Sequence, residues 1–354
     1  MKRRRLQGKA FKRWRRRCRD QRPSGPGAWR TLFNKPVFDL GAAGNETLRG
    51  IFSPSYDTQI VDHYLHTQFR ESASVYAEKY AGVELFTGLL SQAFESIQWQ
   101  GQDRAGRTIL DIGSGAGNSI FPLLQLCPDP LLIASDLSVD LLVLLKKALQ
   151  EQHLEHSCVL LQLNAEELDF TPDSFDLVVG AAVLHHLFAP DKTLEGCARI
   201  LKRGGYALFF EPFEAGHAIL QLIYRAIVQD ARQATLAAEV KAFLQALSWE
   251  YEVRAKRDKS LPVFRHIDDK WLFTKRYIED IADQQGFSTC TIYSLYTPER
   301  QFERQTEVNL RLGIGKGRDS LPRWAWDIVQ QYDETFSDDL KGDLLLEGGV
   351  ILKK

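Results

Sequence analysis

From Thr108 to Phe210 the apolar residues fall into short unbroken runs separated by amphipathic stretches. TILDIG (108–113), LLIASD (131–136), CVLLQLN (158–164), FDLVVGAAVL (175–184) and YALFFE (206–211) predict five buried strands. Between them, Asn118–Leu126, the stretch VDLLVLLKKALQ behind Ser138, and Asp191–Arg203 space their apolar residues three and four apart and predict helices. Ser138 is a suitable N-cap, and Pro122 falls in the first turn, where its missing N–H costs little. The third helix should end on Lys202 and Arg203 with Gly204 in the left-handed position behind them. Strands of this kind alternating with helices predict a parallel sheet covered on both faces.

The flanks read differently. Residues 61–80 (VDHYLHTQFRESASVYAEKY) and 83–98 (VELFTGLLSQAFESIQ) have helical spacing, so 30–105 is expected to be an N-terminal helical segment. The core then covers 106–211 and a helical insertion 212–270. A core helix (270–287, ending at Gly286) and a strand (FSTCTIYSLY, 287–296) complete the core portion 271–296. A second helical insertion follows at 297–341, and a final strand lies within 342–354. The expectation is a doubly wound, Rossmann-like α/β sheet of seven strands. It should be mostly parallel with an antiparallel last strand, under a lid of helical insertions.

Composition adds one asymmetry. Residues 1–22 carry twelve Lys and Arg against Asp20 alone, which leaves 33 basic and 45 acidic groups in the rest of the 354-residue chain. An acidic body follows a basic tail, with Arg22–Trp29 as a linker completing the segment 1–29. Leu6, Ala10, Trp14 and Cys18 recur every four residues, so a helical tail would be amphipathic and suited to an anionic membrane surface or nucleic acid. Like-charge repulsion favours a solvated tail instead. The five cysteines are scattered without a Cys-x-x-Cys pair, which fits a reducing compartment and no zinc knuckle. No apolar run reaches the ~18–20 residues of a membrane span. The expected location is cytoplasmic, with the basic N-terminus as the one candidate for contact with a membrane.

The chemistry concentrates in LDIGSGAGN (110–118). A strand ends in Asp111, and Gly113, Gly115 and Gly117 follow at alternate positions, where a Cβ would block a ligand approaching the backbone. A dinucleotide fingerprint would need glycine where Asn118 stands, and a P-loop would need Gly-Lys-Ser/Thr. Asp136 ends the second strand and suits a ribose diol. Asn164 and Ala165 close the third strand, where an amide and a backbone group could meet an adenine. Gly180, Ala181 and Ala182 keep the end of the fourth strand open.

Taken together, Leu110–Pro212 resembles the class I S-adenosylmethionine (SAM)-dependent methyltransferases, in particular the small-molecule group that includes the ubiquinone/menaquinone methyltransferases. The likeness lies in the glycine motif, Asp136, the segment N-A-E-x-L (164–168), S-F-D-L-V-V…V-L-H-H-L (174–187) and R-I-L-K-R-G-G-Y-A-L-F-F-E-P (199–212). Asn164 stands where that family usually has Asp, and Arg203 where it has Pro. The resemblance implies SAM as cofactor, held by Asp111, Gly113, Ser114, Gly115, Gly117, Asp136, Leu137, Asn164, Ala165, Glu166 and Ala181. It also implies transfer of the sulfonium methyl to a nucleophile, with the protein supplying orientation and a dry site.

A base is needed only if the acceptor must lose a proton. His186, His217 and Glu211 are the candidates, with His185 and Glu214 beside them. No metal is expected: His63 and His66 lie three apart without a third ligand at a recognisable spacing. Trp324, Trp326, Tyr332 and Phe336 suit a helical core better than a substrate pocket. The three blocks 30–105, 212–270 and 297–341 should gather over the strand C-termini and enclose a sizeable small molecule, a natural product, lipid-like or sugar-bearing acceptor. The rival readings are a nicotinamide-dependent reductase, a nucleic-acid methyltransferase using the basic tail, and a non-catalytic relative that binds a partner. The acidic body argues against nucleic acid.

Overall fold

The computed structural model describes residues 28–42, 44–54, 73–79, 81–99 and 101–354. Its strands are β1 (Val37–Asp39), β2 (Ile51–Pro54), β3 (Thr108–Ile112), β4 (Leu131–Asp136), β5 (Val159–Gln162), β6 (Phe175–Ala181), β7 (Leu201–Pro212), β8 (Thr289–Ser294) and β9 (Glu347–Lys353). They form one sheet in the order β1-β2-β5-β4-β3-β6-β7-β9-β8. Pairing is parallel from β2 to β7. It is antiparallel where β9 joins β7 and β8, and where β1 joins β2. Chain order turns back between β3 and β6, which makes the C-terminal ends of those two strands the switch point where open α/β sheets bind ligands.

All seven strands read from the sequence are present, and two more extend the sheet. β1 and β2 lie inside the block expected to be wholly helical. They are only three and four residues long, too short for a period to register, and Asp39 ties them together by accepting from the N–H groups of Gly41 and Gly50. The described helices before the core are α1 (Ala73–Lys79) and α2 (Val83–Ser96).

Core helices α3 (Ile120–Leu126), α4 (Val139–Glu151) and α5 (Pro190–Ile200) alternate with the strands. Ser138 Oγ accepts from Leu141 N–H and starts α4 at the expected cap. Helix α5 stops at Ile200, three residues earlier than its sequence suggests. Lys202 instead joins β7 and pairs with Asp176 at 2.7 Å, and Gly204 takes φ +79° inside that strand. The helices after the core strands are α6 (Glu214–Gln229), α7 (Ala238–Arg254), α8 (Lys275–Gln284), α9 (Gln301–Ile314), α10 (Arg323–Thr335) and α11 (Asp338–Asp343).

The pleat divides the core as a buried sheet requires. Leu110, Ile133, Val178 and Phe209 point to the layer holding Leu194 of α5 and Ile278 and Ile281 of α8. Ile109, Leu132, Leu177 and Leu208 point to the opposite layer with Phe94 of α2, Leu123 of α3 and Leu145 of α4. A third apolar cluster belongs to the insertions: Tyr224 and Ile227 of α6, Leu244 of α7, Phe302 and Leu310 of α9, and Trp326 and Val329 of α10. Trp324, Tyr332 and Phe336 pack against the same cluster. Blocks 212–270 and 297–341 therefore share one core. The described part of 30–105 goes elsewhere, to the sheet edge and the α2 face. Among the described residues, no helix is long and apolar enough to cross a membrane.

Candidate cofactor site and the adjoining ionic cluster

The turn after β3 takes the shape its glycines allow. Gly113, Gly115 and Gly117 have φ of +70°, +51° and +107°, the left-handed region closed to most side chains. A Cβ on Gly113 would stand 2.6 Å from Val183 Cγ2, and one on Gly117 would stand 2.7 Å from Leu145 Cδ1. Nothing lies within 4 Å of the place a Gly115 Cβ would take. Gly113 and Gly117 are thus fixed by packing, and Gly115 offers bare backbone to open space.

Asp136, at the end of β4, faces this turn. Its Oδ2 accepts from Gly115 N–H at 2.8 Å and its Oδ1 from Ser138 N–H at 2.8 Å. Burial raises its pKa to about 6 against these hydrogen bonds. Asp111 is fully buried; Ser119 Oγ donates to its Oδ2 at 2.8 Å, and its Oδ1 has no hydrogen-bond partner among the described residues. Burial is the main reason its pKa rises to about 7. Ser114 is buried and lends its N–H to Ser135 O. Leu137 O accepts from Gln162 Nε2, and the Asn118 side chain accepts from Gly82 N–H, which brings the start of α2 to the end of the glycine loop.

On the neighbouring strand end, Asn164 Oδ1 accepts from Glu166 N–H, and Ala165 O accepts from Thr193 Oγ1. Glu166 Oε1 accepts from Phe188 and Ala189 N–H, ahead of α5. One oxygen of the Glu166 carboxylate thus helps to shape that loop. Ala181 ends β6 half-buried beside the turn. The residues fit a SAM nucleoside on two structural counts: open space at Gly115, and a carboxylate at Asp136 held at the adjacent strand end by N–H donors.

The three catalytic candidates come together at the ends of β6 and β7 with partners that the sequence did not reveal. Glu211 is fully buried, and its carboxylate accepts from the N–H groups of Val183, Leu184 and His185 and from His185 Nδ1 at 2.6 Å. With every oxygen engaged it orients the chain behind β6, and it is poorly placed to act as a free base. His217 donates Nδ1–H to Phe213 O at 2.8 Å, and its Nε2 lies 3.9 Å from Glu347. Burial and Arg254 hold the His217 pKa down at about 3. Burial, mainly, raises Glu347 to about 7.

His186 Nδ1 and His185 Nε2 lie 3.3 and 3.5 Å from one oxygen of Asp269, whose other oxygen lies 3.3 Å from Arg254. Burial and His185 hold His186 near 3. Burial opposes charge on His185, but Glu211 and Asp269 outweigh it and raise its pKa to about 9. Asp269, Arg254 and Glu347 were missed because they lie in the insertion and at the head of the last strand, without local spacing to mark them. The acid pair Asp268–Asp269 before an apolar stretch was the available hint.

A groove of about 540 Å³ opens beside α8, between Asp191, Arg257, Lys259, Trp271 and Tyr277. Its walls mix acids and bases, and neither the glycine turn nor Asp136 lines it. His63, His66 and the basic tail up to residue 27 lie outside the described residues.

Sheet order, glycine turn and strand-end acid are those of a class I SAM-dependent methyltransferase domain, a class whose cofactor is SAM. Residues 110–209 match the model of the methyltransferase domain family. The chain is 33% identical over 122 residues to a ubiquinone/menaquinone biosynthesis C-methyltransferase of Pseudoalteromonas translucida, covering 34% of this chain and 49% of that protein. It is 25% identical over 236 residues to an uncharacterized protein of a Synechococcus strain, 65% of this chain and 52% of that one. The chain thus spans about half the length of these relatives. Among solved structures it is similar to a putative sarcosine dimethylglycine methyltransferase from Galdieria sulphuraria, with a TM-score of 0.47 and 12% identity over 80% of this chain and 98% of that one.

Proposed function

We propose that the whole chain is a SAM-dependent methyltransferase acting on a small-molecule acceptor. The observation that carries this reading is the left-handed glycine turn opposite Asp136, with bare backbone and open space at Gly115. When bound, SAM supplies a methyl group already activated by its sulfonium, so the chain's own work is to bind, orient and exclude water. Asp136 would hold the ribose, Asn164 and Ala165 would serve the adenine, and the turn from Gly113 to Gly117 would serve the methionine portion. The helical cap that follows β7 shields the acceptor side.

A small acceptor is supported by the acidic body, which repels polyanions, and by relatives named as ubiquinone/menaquinone biosynthesis C-methyltransferases. We place the protein in the cytoplasm, with the basic N-terminal sequence as the candidate for contact with an anionic membrane surface. The test is calorimetry with SAM and with NADH, on the wild type and on Asp136→Ala, followed by product analysis with labelled SAM and a panel of phenolic and quinol acceptors. The expected result is SAM binding of the wild type alone and label in a small molecule. Binding of NADH, or label only in nucleic acid or protein, overturns the reading.

A further inference from the structure

We propose that His185, His186 and Asp269 form a binding site for a first-row divalent metal ion of the zinc type. The three side chains offer two imidazole nitrogens and one carboxylate oxygen, all within 4.8 Å of one another. The distances from Asp269 Oδ1 to His186 Nδ1 and His185 Nε2 are 3.3 and 3.5 Å. The edge of a tetrahedral site with bonds of about 2.0–2.1 Å is ~3.4 Å, which these separations match. Both edges that meet at Asp269 Oδ1 thus have the length expected between ligands around a common centre.

The surroundings have the features a metal site needs. Glu211 takes His185 Nδ1 at 2.6 Å, which leaves Nε2 of that ring directed to Asp269, the carboxylate–histidine arrangement that fixes a ligating imidazole. Arg254 holds Asp269 by its other oxygen at 3.3 Å and leaves Oδ1 for the shared centre. In the metal-free protein His186 Nδ1–H donates to Asp268 O at 3.3 Å, and a bound ion would displace that proton. Glu211, Asp268, Glu250 and Glu347 surround the cluster against Arg254 and Lys270, so the local charge favours a cation. His185 is buried, whereas the Asp269 side chain is 35% exposed, so an ion has an entry path and a coordination position open to solvent. The site stands on this geometry alone and does not depend on the methyl acceptor.

The full chain, stripped with a chelator and titrated with Co²⁺, tests it. The expected result is one equivalent of Co²⁺ with the visible absorption of a four-coordinate nitrogen–oxygen site, displaced by Zn²⁺. Asp269→Asn and His186→Ala should each weaken Co²⁺ binding at least tenfold, while Asp269→Glu retains most of it. Circular dichroism and melting curves show which variants fold, and Asp269→Asn decides alone if His186→Ala does not. Absence of stoichiometric uptake by the wild type, or uptake that Asp269→Asn leaves unchanged, overturns the site.

Discussion

Val183 packs against Gly113 so closely that a Cβ on the glycine would stand 2.6 Å from Val183 Cγ2. The loop behind β6 therefore rests directly on the turn behind β3, and the switch point of the sheet is closed by contact. Gly113→Ala must displace Val183 and also strain a residue at φ +70°. We expect a loss of about 2–4 kcal/mol of stability, read from urea denaturation, with SAM binding lost alongside it.

Gly115 separates a ligand effect from a packing effect. Its φ of +51° costs an alanine about 1 kcal/mol, and nothing in the protein meets the new methyl group. Gly115→Ala should stay folded and lose at least tenfold in SAM affinity by calorimetry. Unchanged affinity would show that the cofactor does not approach this backbone.

The two strand-end aspartates give opposite pH signatures. Asp111 titrates at about 7 in the folded protein, against 3.8 when exposed. A raised carboxyl pKa contributes stability that is full below pH 4 and is lost as pH rises through 7, by on the order of 2–4 kcal/mol. Asp111→Asn should flatten the fall in melting temperature between pH 5 and 8; an unchanged slope contradicts the assignment. Asp136, at about 6, acts on binding. Ribose hydroxyls donate to the ionised form, so SAM affinity should drop about tenfold per pH unit below ~6, and Asp136→Asn should remove that dependence.

Glu211 serves three backbone N–H groups and one imidazole. Glu211→Ala leaves those buried donors unpaired and should cost about 3–5 kcal/mol, against about 1–2 kcal/mol for Glu211→Gln, in chemical unfolding. A mild effect of the alanine variant would argue against its role as the anchor of this loop.

In the helical cap, Asn309 Nδ2 donates to the hydroxyls of Tyr224 and Tyr251, both at 2.9 Å. Asn309→Ala should lower stability by about 1–3 kcal/mol yet leave SAM affinity within twofold, because the cap and the glycine turn draw on separate cores. A large fall in SAM affinity would couple them.

What was legible in the sequence was what depends on near neighbours in the chain. The apolar runs marked every core strand, Ser138 marked the start of α4, and three alternating glycines marked the turn. Long-range pairing was invisible. β2 is a strand because β5 offers it an edge, through Ile51 beside Leu160, and β1 because β2 offers one in turn, not because of their own pattern. α5 ends early because Asp176 claims Lys202 for the sheet. The ionic cluster depends on Asp269 and Glu347, which reach His185, His186 and His217 only after the insertions fold back. The backbone groups that Asn164 Oδ1 and Glu166 Oε1 accept from could not be read from composition or spacing.

The pairing of Ile51 and Phe52 with β5 has a practical consequence for anyone isolating the catalytic core. Cutting the chain ahead of residue 106 would strip Val159–Gln162 of its cover and leave a row of unsatisfied amides and carbonyls along an apolar strand. Such a fragment would carry the whole nucleotide-binding turn and still tend to stick to copies of itself.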